Sequence, residues 1–152
     1  MKKNITRIGW LVGLAIIFVG SAAMPAYSQK TTALRVLQSR EPKVKWNAGS
    51  LLKVDLNFDG TVDYAIRGSR GRSIVVGIVR GPLAGRSKHS TLVFPPNALC
   101  SPGGISIEEL NREIDVLRSA PATGRGVVLA NECDDFHIYY NRDKKLFTWW
   151  QN

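Results

Sequence analysis

LLKVDLNFDGTVDYAIRGSRGRSIVVGIVR, Leu51 to Arg80, is the stretch on which the architecture turns. Leu51 to Asp55 reads as a strand that runs into an acidic loop, and Val62 to Arg67 as the strand that leaves it. Gly68 to Arg72 (GSRGR) has the composition of a turn. Ser73 to Arg80 (SIVVGIVR) is β-branched and almost wholly apolar, which is the pattern of a strand buried on both faces. Short connections between successive strands imply antiparallel pairing.

Outward from this core the pattern stays β-rich. Ser90 to Phe94 is a short strand stopped by Pro95-Pro96, with loops at 81–89 and 97–104. Gly126 to Ala130 reads as a strand. Phe136 to Asn141 and Leu146 to Trp150 read as a hairpin around the polar turn 141–145. Alternation puts Phe136, Ile138 and Tyr140 on one face, and His137 and Tyr139 on the other. One helix is expected at about 106–119. Ser106 and Glu109 match a capping box, and Ile107, Leu110, Ile114 and Leu117 form an apolar stripe. Upstream, Ala33 to Leu37 opens either a helix or a strand, Glu41-Pro42 breaks it, and Val44 and Trp46 alternate with Lys43 and Lys45 as in a short strand. The expected class is α+β: a mostly antiparallel sheet of six or seven strands with one amphipathic helix packed on it.

The acidic loop has the one local chemistry with a specific reading. Asp55, Asn57, Asp59 and Asp63 aim side-chain oxygens at one point, Gly60 allows a sharp turn, and Thr61 offers its carbonyl. An oxygen-only set of this spacing suits a hard cation, calcium before zinc or copper. The same residues also satisfy their own backbone in a turn that binds nothing. An EF-hand would need a bidentate glutamate at its twelfth position, where Ile66 stands here, and helices rather than strands on either side.

A strand, then D-x-N-x-D-G-x-x-D, then an apolar strand resembles one unit of the FG-GAP or VCBS type of secreted bacterial repeat, over about Val54 to Val79. The resemblance implies calcium held in a β-hairpin loop by Asp55, Asn57, Asp59, the Thr61 carbonyl and Asp63. Phe58 departs from the small residue common at the fourth position. Only one copy is present, and a propeller needs at least four blades. The unit is therefore expected within a different small fold.

The N-terminus reads as a secretory signal. Lys2, Lys3 and Arg7 precede the apolar run Ile8 to Gly20, and Ala26-Tyr27-Ser28 is a small-x-small cleavage pattern. Residues 1–28 are thus expected as signal peptide and 29–152 as one exported domain, periplasmic or secreted. The alternative is an uncleaved inner-membrane anchor over residues 8–28, the chain's one expected membrane attachment. Removing the signal leaves 124 residues with 18 basic and 12 acidic side chains, net +6. No acid occurs from Tyr64 to Ile107, although Arg67, Arg70, Arg72, Arg80, Arg86 and Lys88 all lie there. Outside the cytoplasm such a surface points to an envelope or extracellular protein or an anionic polymer rather than nucleic acid. It serves equally as a solvated face that favours solubility. Cys100 and Cys133 are the only cysteines, so one connectivity exists. In an oxidising compartment they are expected to pair, closing about 33 residues for roughly 3–4 kcal/mol.

The remaining chemistry is thin. His137 stands near Asp134 and Asp135, but no nucleophile motif, P-loop or dinucleotide glycine pattern accompanies it. Glu108, Glu109 and Glu113 read as helix-capping acids. Trp149 and Trp150 point to opposite faces of a strand, one towards the core and the other, near Tyr139, available to a partner. The expectation is a non-enzymatic exported domain with a calcium clip, offering Arg67, Arg70, Arg72 and a tryptophan as binding surface. The alternative is an inhibitor or immunity-type protein that blocks an envelope enzyme.

Overall fold

A computed structural model describes residues 26–83, 87–110 and 124–151. The order is α1 (Ala26–Arg40), β1 (Lys45–Trp46), β2 (Leu52–Val54), β3 (Asp63–Arg70), β4 (Ser73–Val79), β5 (His89–Phe94), β6 (Pro102–Glu109), β7 (Arg125–Asn131), β8 (Phe136–Asn141) and β9 (Leu146–Gln151). The class is α+β and mostly antiparallel, but the described strands form two sheets rather than one. The first has β4 between β3 and β5, with both β1 and β2 on the other side of β3. β2 pairs with Asp63 to Ala65, and β1 with Gly68 and Ser69. The second sheet is the meander β6-β7-β8-β9.

Three layers result. The inner faces of the two sheets close on a core that includes Val54, Leu56, Val76, Ile78, Phe94, Leu129, Phe136 and Ile138. The outer face of the first sheet packs Tyr64, Ile66 and Val79 against Ala33 and Leu37 of α1. β4 is therefore covered on both sides, as its unbroken apolar run requires, and every residue from Ile74 to Val79 is buried. Gly77 is the notch that lets the helix approach. A Cβ there would lie 2.6 Å from the Trp46 ring and 2.8 Å from Leu37 Cδ2.

α1 is the one α-helix among the described residues, and it lies outside the stretch where a helix was expected. Ala33 and Leu37 are one helical turn apart and fully buried. The helix stops at Arg40, where Glu41 N–H still reaches Leu37 O at 2.8 Å and Pro42 follows. Its first turn spans the junction expected after Ser28. At the other expected helix, Ser106 to Glu109 lie in β6, paired with Arg125 to Val128. Residues 111–119 of that expectation lie outside the described residues. The stretch Ile105-Ser106-Ile107-Glu108 alternates as well as it spirals, and the β-branched β7 supplies a partner that an isolated capping box cannot outweigh. Glu108 is consequently no helix cap. The turn expected over 68–72 also shrinks, because β3 runs on to Arg70 and leaves Gly71, at φ 61°, and Arg72 to reverse the chain.

Cys100 and Cys133 form a disulfide, with Cα atoms 5.9 Å apart, that ties the start of β6 to the β7–β8 turn. Asn131 supports the same corner. Its Oδ1 accepts the N–H groups of Cys100 at 2.9 Å and Ser101 at 3.3 Å, and its Nδ2 donates to Asp134 O. Among the described residues no helix is long and apolar enough to cross a membrane.

Candidate functional site

The acidic loop joins β2 to β3 at the end of the first sheet. Its side chains accept hydrogen bonds from the loop's own amides. Asp55 Oδ1 accepts Phe58 N–H at 2.8 Å, and Asp55 Oδ2 accepts Gly60 N–H at 2.9 Å. Asn57 Oδ1 accepts Asp59 N–H at 3.2 Å, and Asp59 Oδ1 accepts Thr61 N–H at 2.9 Å. Asn57 Nδ2 donates to Asp59 Oδ2 at 2.8 Å. Two left-handed residues make the path possible, Phe58 at φ 60° and Gly60 at φ 83°. Glycine takes that conformation without strain, whereas phenylalanine does so at some cost.

Asp63 behaves differently from the other three. It is fully buried at the first residue of β3. Its Oδ2 accepts Leu56 N–H at 3.0 Å and Asn57 N–H at 3.3 Å, and its Oδ1 accepts Gly81 N–H at 3.0 Å. One carboxylate thus fastens the loop to the β4–β5 connection. Burial pushes its pKa up against the opposing pull of those amides. Exposed Asp59 moves the other way, held below its ordinary value chiefly by the Asn57 amide.

The donor set fits a hard cation in kind, since each oxygen bound to one amide keeps a second lone pair. The conformation described is the self-satisfied turn. Among the described residues no three His, Cys, Asp or Glu side chains converge as a metal site. Calcium binding here requires breaking the Asn57–Asp59 side-chain bond and rearranging the loop so that its oxygens converge.

The expected binding surface does not come together. Arg67 and Arg70 are three apart on β3 and so face opposite sides. Arg67 lies on the side of Ala65, towards the second sheet. Arg70 lies on the helix side, 3.6 Å from Glu41. Arg72 is exposed in the turn. Trp149 and Trp150 do take opposite faces. Trp149 packs on Phe94 and Phe136 with ring centroids 5.6 and 5.2 Å away, yet stays 39% exposed. Trp150 joins Tyr139 and Leu110 on the outer face of the second sheet.

That outer face carries a pairing the sequence did not suggest. His137 Nδ1 lies 2.7 Å from Glu108 Oε2, and the imidazole stacks on Trp150 at 4.3 Å and 14°. Gly126, between β6 and β8, clears the way for Glu108, whose Oε1 would sit 3.2 Å from a Cβ there. Glu108 Oε1, His137 Nε2 and Trp150 Nε1 are buried without a hydrogen-bond partner among the described residues. Asp134 and Asp135 are not the histidine's partners. Asp135 Oδ1 accepts Asn131 N–H, and the Asp134 carbonyl accepts from Asn131 and Gln151. Only the register of β6 against β7 and β8 brings Glu108 to His137, 29 residues apart.

Comparison with protein-family models, with curated proteins and with solved structures finds no match.

Proposed function

We propose that this chain is an exported, non-enzymatic domain that holds calcium in the Asp55–Asp63 loop as a structural clip and engages an envelope or extracellular partner. One observation carries the metal reading. Asp55, Asn57 and Asp59 each accept a hydrogen bond from an amide of the loop itself, which restricts their side chains while leaving each oxygen a lone pair for a cation. Within this reading Asp55, Asn57, Asp59 and the Thr61 carbonyl are the ligands. Asp63, with three amides already on its carboxylate, is the brace that anchors the clip to Gly81. The disulfide is compatible with an oxidising, exported compartment, and the charged, apolar and small-residue regions before Gln29 favour export by a cleaved signal peptide.

Thermal unfolding in EDTA and in about 5 mM calcium tests the clip, since extracellular calcium modules bind at roughly 0.1–1 mM. Linkage then predicts about 1–2 kcal/mol of stabilisation, several degrees in a domain of this size. Asp59→Ala is expected to abolish the shift. A wild type that melts at one temperature in EDTA, calcium and magnesium would leave the loop as a turn only.

The inhibitor reading draws on a separate observation. Trp149 is exposed on β9, an edge strand of the second sheet among the described residues. An aromatic side chain beside unpaired backbone groups suits strand addition or insertion into a partner's cleft. Trp149→Ala would then weaken partner capture without changing the calcium response.

A further inference from the structure

An open cleft of about 310 Å³ lies where the β4–β5 connection meets the acidic loop. Asn57 and Asp59 line it from the loop; Arg80, Ser87 and Lys88 line it from the connection. Asp63 ties the two segments together through Gly81 N–H. The size is at the lower end of small-molecule sites, enough for a sugar or a dipeptide.

The basic side carries a feature that packing does not explain. Arg80 N–H donates to Lys88 O at 2.8 Å, one step beyond the Val79–His89 pair of the ladder. Like charges directly opposite one another on antiparallel strands are destabilising. No ion pair relieves these two among the described residues. Arg80 Nε is buried without an acceptor there, and its guanidinium carbon lies over the Tyr140 ring, 5.9 Å from the centroid. Asp59 supplies the opposite charge. Its Oδ1 accepts Thr61 N–H and its Oδ2 accepts Asn57 Nδ2, so the carboxylate is fixed and each oxygen keeps a lone pair. The Asn57 amide foremost, with a smaller pull from Arg80, holds its carboxyl below the ordinary value, and it is ionised at neutral pH. Yet Asp59 forms no ion pair with Arg80 or Lys88 among the described residues. A simple anion in this cleft would gain the two cations and meet Asp59. A simple cation would gain Asp59 and meet the two cations. A ligand that carries both charges makes charge-assisted bonds on both sides.

We propose that this cleft binds a small zwitterion, whose carboxylate lies on Arg80 and Lys88 and whose ammonium lies on Asp59 and Asn57. The inference does not draw on the calcium reading, because it uses Asp59 as a free carboxylate. It gives the basic residues after β4 a role that the divided Arg67 and Arg70 do not share.

Calorimetric titration of the protein in EDTA with alanine, alanyl-alanine and muramic acid tests it, since these differ in the span from ammonium to carboxylate. At least one is expected to bind, and the tightest identifies the span. Its N-acetylated and carboxamide forms, each lacking one charge, are expected to bind at least tenfold more weakly. Arg80→Gln and Lys88→Gln are each expected to weaken the zwitterion about tenfold. Asp59→Asn is expected to weaken the zwitterion to a similar degree but to strengthen the N-acetylated form, a reversal that misfolding cannot produce. The proposal is overturned if none of the three zwitterions binds, or if either singly charged form binds as tightly as its parent. Binding that Lys88→Gln and Asp59→Asn leave unchanged overturns it too. The calcium-induced thermal shift is read separately, so the clip and the cleft stand or fall apart.

Discussion

Asp59 and Asp63 stand four residues apart and answer acid in opposite ways. Asp63 is buried, and its folded carboxyl holds its proton more tightly than the unfolded one. Stability linked to it therefore falls as pH rises from the ordinary 3.8 through the raised value, then stays level. Asp59 is held low, so its contribution is present above 3.8 and disappears as pH falls through the lowered value. Unfolding followed in EDTA between acid and neutral pH is expected to show both limbs. Asp63→Asn removes the upper one and Asp59→Ala the lower. Asp63→Asn also lowers neutral stability by about 1–3 kcal/mol, because an amide turns one donor towards N–H groups that need an acceptor. A variant as stable as wild type at neutral pH would exclude the bracing role. The residue types of this loop and their spacing were legible in the sequence. The distinction between a ligand-like Asp59 and a bracing Asp63 was not, since it depends on Gly81, which only folding brings within 3.0 Å.

At the scale of elements, propensity decided where the tertiary partner agreed with it. β4 announced itself because six consecutive residues are covered from both sides. β6 did not, because its sequence satisfies two periodicities and the pairing with β7 chose between them. The contact between α1 and β4 is similarly invisible locally, yet it hinges on one small residue. Gly77→Ala sets a methyl 2.6 Å from Trp46 and 2.8 Å from Leu37, so the helix must lift or the indole must move. A loss of about 1–3 kcal/mol is expected from such overpacking. Leu37→Ala is expected to cost about 2–5 kcal/mol through the cavity it leaves. Denaturant unfolding measures both. Were Gly77→Ala neutral, α1 would not be seated as described. On the second sheet, His137→Ala is expected to destabilise by about 1–3 kcal/mol, because it leaves the partly buried Glu108 carboxylate without its partner. Adding Glu108→Gln to that variant should then cost little further, a coupling that a double-mutant cycle reads directly.

Across the described residues, two sheets and a helix share one disulfide-tied body, and Arg67, Arg70 and Arg72 do not share one face of it. Retention on an anionic surface should therefore be nearly indifferent to Arg70→Ala, which removes a partly exposed pair with Glu41 worth no more than about 1 kcal/mol. A large drop in salt-dependent retention would instead restore a basic face. Composition, alternation and cysteine count determined the α+β class, the strands from Leu52 to Val79, the terminal hairpin and the single possible disulfide. Each of these is carried by residues adjacent in the chain or by elimination. Tertiary structure alone decided the split into two sheets, the helix at Ala26–Arg40, the conversion of Ser106 to Glu109 into strand, and the meeting of Glu108 with His137. Those outcomes depend on which distant apolar faces cover one another, and hydrophobic burial is non-directional, so no local pattern encodes its partner.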